Sequence, residues 1–274
     1  MNPRAVWALA RSCHPEPTLA VTALVTVLAL RWGRGLSTLW VTAAVLCGQL
    51  SVGWANDYLD RDLDVGRADK PLAAGEVTAP VVRGAAVAAL VLAIALSLLS
   101  GIAATAVHVV ALALAHGYNL RLKRTILSVL AYAVAFAMAP AFVSLGAQPS
   151  RWPAPWVTVT AALLGAGAHF TQTLGDHDRD RESGIRGLPQ RIGRRPSVLA
   201  AGVLLGAAGL VATLGPAHPG PAALALLGLS LVLVTGTVGA GLAGRYHASF
   251  RLTIGAAGVA VLIFLVGTGA GGGA

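Results

Sequence analysis

Apolar residues fall into nine runs bounded by charge, glycine or proline: 17–32, 37–56, 79–99, 102–119, 125–146, 155–175, 197–214, 220–243 and 250–270. About 20 mostly apolar residues cross a bilayer as a helix, and a helix satisfies its own backbone polar groups there. The pattern therefore predicts an all-α, multi-pass membrane protein of nine transmembrane helices. Pro15, Glu16 and Pro17 precede the first run, and no small-residue cleavage site leading into a soluble domain follows it. That run is expected to stay in the mature protein rather than leave as a signal peptide.

Composition narrows the class further. Of 274 residues, 56% are hydrophobic and 11% charged, where a soluble domain carries about 25% charge. This excludes an ordinary soluble domain, disorder and a disulfide scaffold. Cys13 and Cys47 lack metal-ligand spacing and read as small packing residues. A net charge of +9 could indicate nucleic acid, but in so apolar a chain the partner implied is a lipid bilayer and not a nucleic acid. With the N-terminus inside, 17 of the 20 basic residues fall on inner segments, leaving Arg31, Arg34 and Arg151 outside. The expectation is a cell-membrane protein with its N-terminus and its acidic loops in the cytoplasm.

The acids are segregated. Asp57, Asp60, Asp62, Asp64, Asp69 and Glu76 follow the second run, and Asp176, Asp178, Asp180 and Glu182 follow the sixth; Glu16 stands alone. A wet loop accounts for any single acid, but it does not account for two clusters on one side. Asn56, Asp60 and Asp64 fall at i, i+4 and i+8, on one face of a helix continuing out of the second run, and Gln172, Asp176 and Asp180 repeat the pattern 116 residues later. The same offset aligns Lys70 with Arg186 and Leu72 with Leu188, so one domain over 1–274 is expected to comprise two pseudo-repeats, roughly 1–120 and 121–274.

Carboxylates stacked at i, i+4 repel unless a cation lies between them. Hard oxygen ligands without His or Cys favour Mg²⁺, which binds through one or two carboxylates and completes its shell with water and phosphate. Two such clusters would hold a diphosphate. Arg67 and Lys70 beside the first cluster, Arg121, Lys123 and Arg124 between the two, and Arg186 and Arg191 beside the second could take the remaining phosphate charge. Positive charge on inner loops explains each of these basic residues equally well.

These residues carry a family resemblance. N-D-Y-L-D-R-D-L-D from Asn56 to Asp64, continued by R-A-D-K-P-L-A-A-G, resembles the first aspartate motif of the UbiA superfamily of intramembrane prenyltransferases. D-H-D-R-D from Asp176 to Asp180 is similar to the second, with Gly184, Leu188, Pro189, Arg191 and Gly193 in its tail, and Y-N-L-R-L-K-R from Tyr118 to Arg124 is similar to the tyrosine and lysine segment between them. Gly187 stands where the family often has Thr, and R-S-C-H-P-E-P matches the family's N-terminal region only loosely. The resemblance implies a bundle around a central cavity roofed by two loops. It implies Mg²⁺ on Asn56, Asp57, Asp60, Asp64, Asp176 and Asp180, with Asp60, Asp176 and Lys123 catalytic. It also implies a polyprenyl diphosphate held by Arg67, Lys70, Tyr118, Lys123, Arg124 and Arg191, and prenyl transfer to a small acceptor, often an aromatic ring.

A secondary transporter would place its carboxylates near the bilayer midplane, whereas these lie at the ends of runs. A CDP-alcohol phosphotransferase expects Gly and Ala-Arg between its acids, which this sequence lacks. A terpene cyclase of the same superfamily stays open as an alternative. His108, His116 and His169 lie in or near runs, where interhelical hydrogen bonds compete with catalysis; His169, one turn before Gln172, is the best placed to line the cavity. His177 is expected at the surface, and Trp32, Trp40 and Trp54 as interfacial anchors.

Overall fold

A computed structural model describes residues 3–267, and among the described residues the regular structure is entirely helical. The helices are α1 (Pro3–Arg11), α2 (Pro15–Arg31), α3 (Thr38–Asp60), α4 (Ala79–Leu98), α5 (Ile102–Leu120), α6 (Ser128–Leu145), α7 (Pro155–Gln172), α8 (His177–Glu182), α9 (Leu188–Ile192), α10 (Arg194–Leu214), α11 (Pro221–Leu242) and α12 (Tyr246–Gly267). Pro15, Pro80, Pro155 and Pro221 stand in first turns, where the missing N–H has no intrahelical partner to lose.

All nine apolar runs are helical over most of their described residues, the end of the ninth (268–270) lying outside them, but the count of nine spans is not reached on length and apolarity. Seven helices, α3 with its leading turn from Gly35, α4, α5, α6, α10, α11 and α12, are long and apolar enough to cross a membrane. α1 and α2 would make an eighth together, although they meet at 70°. α7 falls short because its 18 residues include Thr158, Thr160, His169, Thr171 and Gln172. The chain is thus a multi-pass membrane protein with seven or eight candidate spans.

Shifted by 116 residues, α3, α4, α5 and α6 overlie α7, α10, α11 and α12 with bounds that agree within about six residues. We propose that the duplication runs from α3 to α6 and from α7 to α12, dividing in the α6–α7 connection rather than near residue 120.

α2, α3, α5, α6, α7 and α12 wall a central apolar cavity, and α4 and α11 pack outside them. Val25, Val45, Ala141 and Phe142 belong to the buried core on its α2–α3–α6 side. Arg34, counted above among the outer basic residues, is buried, and its guanidinium donates to Ser100 Oγ at 2.8 Å. It ties the α2–α3 and α4–α5 connections at the end of the bundle opposite the aspartates. Cys13 is buried and Cys47 partly so, both free thiols.

Candidate active site

The first acidic motif straddles the end of α3. Asn56, Asp57 and Asp60 lie in its last turns, but the helix stops at Asp60, and Asp64 follows in a turn rather than on a continuing helix. A helix C-terminus carries partial negative charge, so carboxylates crowded there oppose further extension. The i, i+4 relation survives in the turn, because Asp64 N–H donates to Asp60 C=O at 2.9 Å. The second motif behaves alike: α7 ends at Gln172, Asp176 immediately precedes the short helix α8, and Asp180 N–H donates to Asp176 C=O at 2.8 Å.

Each acid on the expected faces has a cationic or amide partner. Lys123, 5% exposed, donates to Asp60 Oδ1, while Asn56 Nδ2 reaches Asp60 Oδ2 at 2.9 Å and Asn119 Oδ1 at 3.3 Å. Arg67 Nη1 lies 3.3 Å from Asp64 Oδ1 and 3.4 Å from Asp176 Oδ1, so one nitrogen joins the two motifs. Gln190 Nε2 donates to Asp180 Oδ2 at 2.8 Å. Asp57 is 2% exposed and its Oδ1 takes Lys70 Nζ at 2.6 Å; among the described residues its Oδ2 is buried with no partner, and no ion pair or hydrogen bond joins it to the second motif. Asp62 and Asp178 turn outward, to Arg61 and to Arg194 and His177.

Burial raises the carboxyl pKa of Asp180 to about 6, with Asp176 and Asp60 adding to the rise and Gln190 and Lys123 opposing it. Asp64 is also raised, first by burial and then by Asp60 and Asp57, against the pull of Lys70 and Arg67. The cations present do not fully offset the crowded negative charge. Among the described residues no three acid, His or Cys groups gather into one ligand set. The donor chemistry still fits Mg²⁺, which needs only one or two carboxylates per ion, and Arg67 Nη1 already places a cation between Asp64 and Asp176.

Below the acids lies the cavity, of about 230 Å³, lined by side chains such as Leu24, Leu112, Ala139, Ala260 and Phe264. Asn119, at the end of α5, belongs both to its wall and to the acidic mouth, and Tyr118 beside it lines the wall. Asn119 Nδ2 in turn donates to Val52 C=O at 2.9 Å, which fixes α5 against α3. Ser128, at the start of α6, accepts Leu188 N–H at 3.0 Å and lies 3.1 Å from His169 Nε2, drawing the 183–193 segment over the mouth. Gly187 permits this approach. A Cβ there would sit 2.8 Å from Lys123 C=O and 3.0 Å from Ser128 Oγ.

A sequence profile of the UbiA prenyltransferase family matches residues 17–268. The chain belongs to the UbiA prenyltransferase family. No curated protein matches its sequence. Among solved structures, a UbiA homologue from Aeropyrum pernix K1 superposes with a TM-score of 0.75 at 20% identity, over 92% of this chain and 98% of that one. A UbiA homologue from Archaeoglobus fulgidus, bound to GPP and Mg²⁺, gives 0.67 at 15% identity over 93% and 99%. A structure of digeranylgeranylglyceryl phosphate synthase gives 0.68 at 16% over 96% and 98%. The UbiA fold is therefore shared along almost the whole chain.

Within this UbiA fold, Asn56, Asp60, Asp64, Arg67, Lys123, Asp176 and Asp180 gather at the mouth. Arg124 and Arg191 are both exposed, and Arg191 Nε donates to Arg186 C=O at 2.8 Å. His177 is buried rather than exposed; its Nδ1 lies 3.3 Å from Asp178 Oδ1, and Arg194 holds the other oxygen of that carboxylate. His169 is buried behind Tyr118 and Tyr132, and it is His108, hydrogen-bonded to Ser97 at 2.7 Å, that reaches the cavity. His116 bonds Ser51 across α5 and α3 at 3.0 Å. Trp54 donates to Leu9 C=O at 2.8 Å, so it docks α1, and Trp32 stacks on Phe264.

Sequence reasoning missed His14, Asn119 and Gln190. His14 takes a left-handed backbone, φ 55°, at the α1–α2 bend and sets Nε2 3.3 Å from Asp57 Oδ1. Gly53 admits that bend, since a Cβ there would lie 2.3 Å from Cys13 C=O. A single His or Gln carries no periodic signal.

Proposed function

We propose that the protein transfers a prenyl group from a polyprenyl diphosphate to a small aromatic acceptor within the membrane, with Mg²⁺ as cofactor. The observation that carries this reading is the meeting of Asp64 and Asp176 on Arg67, above an apolar cavity that continues from Asn119. The family membership supports it, as do the UbiA homologues solved with GPP or DMAPP and Mg²⁺.

Asp60, Asp64, Asp176 and Asp180, with Asn56, would hold Mg²⁺, which supplies charge neutralisation to the leaving diphosphate. Asp57 belongs to this group by motif and serves here to anchor Lys70. Lys123 and Arg67 would take diphosphate oxygens as the allylic C–O bond breaks and its electron pair leaves with diphosphate. Asn119 and Tyr118 would mark where the polar head ends and the tail begins. Burying that tail contributes about 0.8 kcal/mol per CH₂, and the cavity keeps water from the allylic cation. A π pair of the acceptor then forms the new C–C bond at C1, and the ring carbon releases its proton to a diphosphate oxygen.

The reading places the mouth on the cytoplasmic side of the cell membrane. Incubating membranes that contain the protein with labelled prenyl diphosphates of several lengths and a panel of aromatic acceptors, then weighing the products, tests it. Prenylated acceptor supports transfer. A cyclic hydrocarbon formed without acceptor would mark a cyclase instead, and no consumption of any diphosphate would overturn both.

A further inference from the structure

Just inside the mouth, one wall of the cavity is aromatic. Tyr132 lies on α6, one turn beyond Ser128, and Phe136 follows at i+4; both rings line the cavity. The edge of Tyr118 meets Tyr132 with centroids 4.9 Å apart at 79°, and the Phe136 ring lies nearly parallel to Tyr132 at 6.3 Å and 15°. His169 backs Tyr132 at 4.7 Å.

The ring is held by the second motif. Tyr132 Oη donates to Gln172 Oε1 at 3.1 Å. Gln172 is the member of the i, i+4, i+8 set that reaches no acid, and its counterpart Asn56 likewise reaches a cavity-wall residue, Asn119. In both halves, then, the amide of the motif bonds to a residue of the cavity wall.

Resting on the prenyl-transfer reading, we propose that Tyr132 is a further catalytic residue, its π face turned to the allylic carbons and Gln172 acting as the positioning residue that fixes the ring. When the C1–O bond breaks and its electron pair leaves with diphosphate, positive charge spreads over C1 to C3 in an apolar enclosure, where fixed π electron density stabilises it. The ring also occupies the space next to that cation, which otherwise admits water.

Steady-state kinetics of Tyr132→Phe, Tyr132→Leu and Gln172→Leu, with products weighed, tests the assignment. Tyr132→Phe keeps the π face and should stay within about threefold of wild-type kcat, the hydroxyl serving only to position the ring. Tyr132→Leu should lose about tenfold or more in kcat with KM for the prenyl diphosphate nearly unchanged, the loss expected when a group acts on the transition state alone. It should also release more free prenyl alcohol per turnover. Gln172→Leu removes the same hydrogen bond as Tyr132→Phe and should lose no more than that variant does. Tyr132→Trp should restore kcat, which a merely structural loss would not allow. An active wild type with unchanged kcat and product ratio in Tyr132→Leu overturns this inference alone, and so does an impaired Tyr132→Leu that Tyr132→Trp fails to rescue. An inactive wild type overturns the transferase reading and this inference with it.

Discussion

Asp64 and Asp176, one from each aspartate motif, converge on the same nitrogen of Arg67, at 3.3 and 3.4 Å. A guanidinium in that place answers the repulsion that the buried Asp64 and half-buried Asp176 carboxylates would otherwise meet. Lys123 does the same for Asp60, deeper in the mouth.

Removing the bridge should be felt most without metal. Arg67→Met should lower stability in EDTA by roughly 1–3 kcal/mol, the cost of leaving charged groups unpaired, and Mg²⁺ should recover part of the loss. Thermal unfolding of purified protein with and without Mg²⁺ measures this. Equal loss under both conditions would mean that no cation can replace the guanidinium.

Asp180 predicts a pH dependence. Its folded pKa, about 6, exceeds the ordinary 3.8, so the native state holds the proton more tightly than the unfolded chain. The resulting stability is full below 3.8 and is lost as pH rises through about 6. Asp180→Asn should therefore melt above wild type in EDTA near pH ~7.5 and lose most of that advantage near pH ~4.5. Wild-type affinity for Mg²⁺ should fall as pH drops below about 6. A variant less stable than wild type at both pH values would contradict the assignment.

Lys123 and Asp60 should behave as a coupled pair. Lys123→Met alone leaves a half-buried carboxylate unpaired and should cost roughly 3–5 kcal/mol, while the double variant with Asp60→Asn should cost less than the two single losses added together. Denaturant unfolding of the four proteins closes the cycle. Additive losses would show that the two groups act independently.

Much of this was legible in the sequence. The nine apolar runs located the long helices, because burial in lipid leaves a continuous apolar record, and the 116-residue offset between Asn56 and Gln172 carried over to four helix pairs. The helix ends were not legible. The i, i+4 spacing of Asp60 and Asp64 implied a continuing helix, whereas a turn with the same hydrogen bond satisfies that spacing once carboxylates crowd a helix C-terminus. The burial of Arg34 was not legible either, because it depends on Ser100, a partner far along the chain. His14, Asn119 and Gln190 meet the site only through the tertiary fold.

Orientation can be read chemically. Cysteine introduced at position 151 should react with an impermeant reagent from outside intact cells, and cysteine at position 186 should not; both residues are exposed on the protein. Position 34 is unsuitable because Arg34 is buried. The reverse labelling pattern would put the aspartate mouth outside.

The central claim is that both aspartate motifs hold one Mg²⁺-bound prenyl diphosphate, and its most direct test is the binding of geranyl diphosphate to purified wild type, Asp60→Asn and Asp176→Asn, with and without Mg²⁺. Wild type should bind in a Mg²⁺-dependent way. Each variant, folded by its thermal transition, should bind about 100-fold more weakly or worse, and turnover should fall by several kcal/mol of transition-state stabilisation, on the order of 10³-fold. Wild-type binding and turnover in either variant at saturating Mg²⁺ would contradict the account.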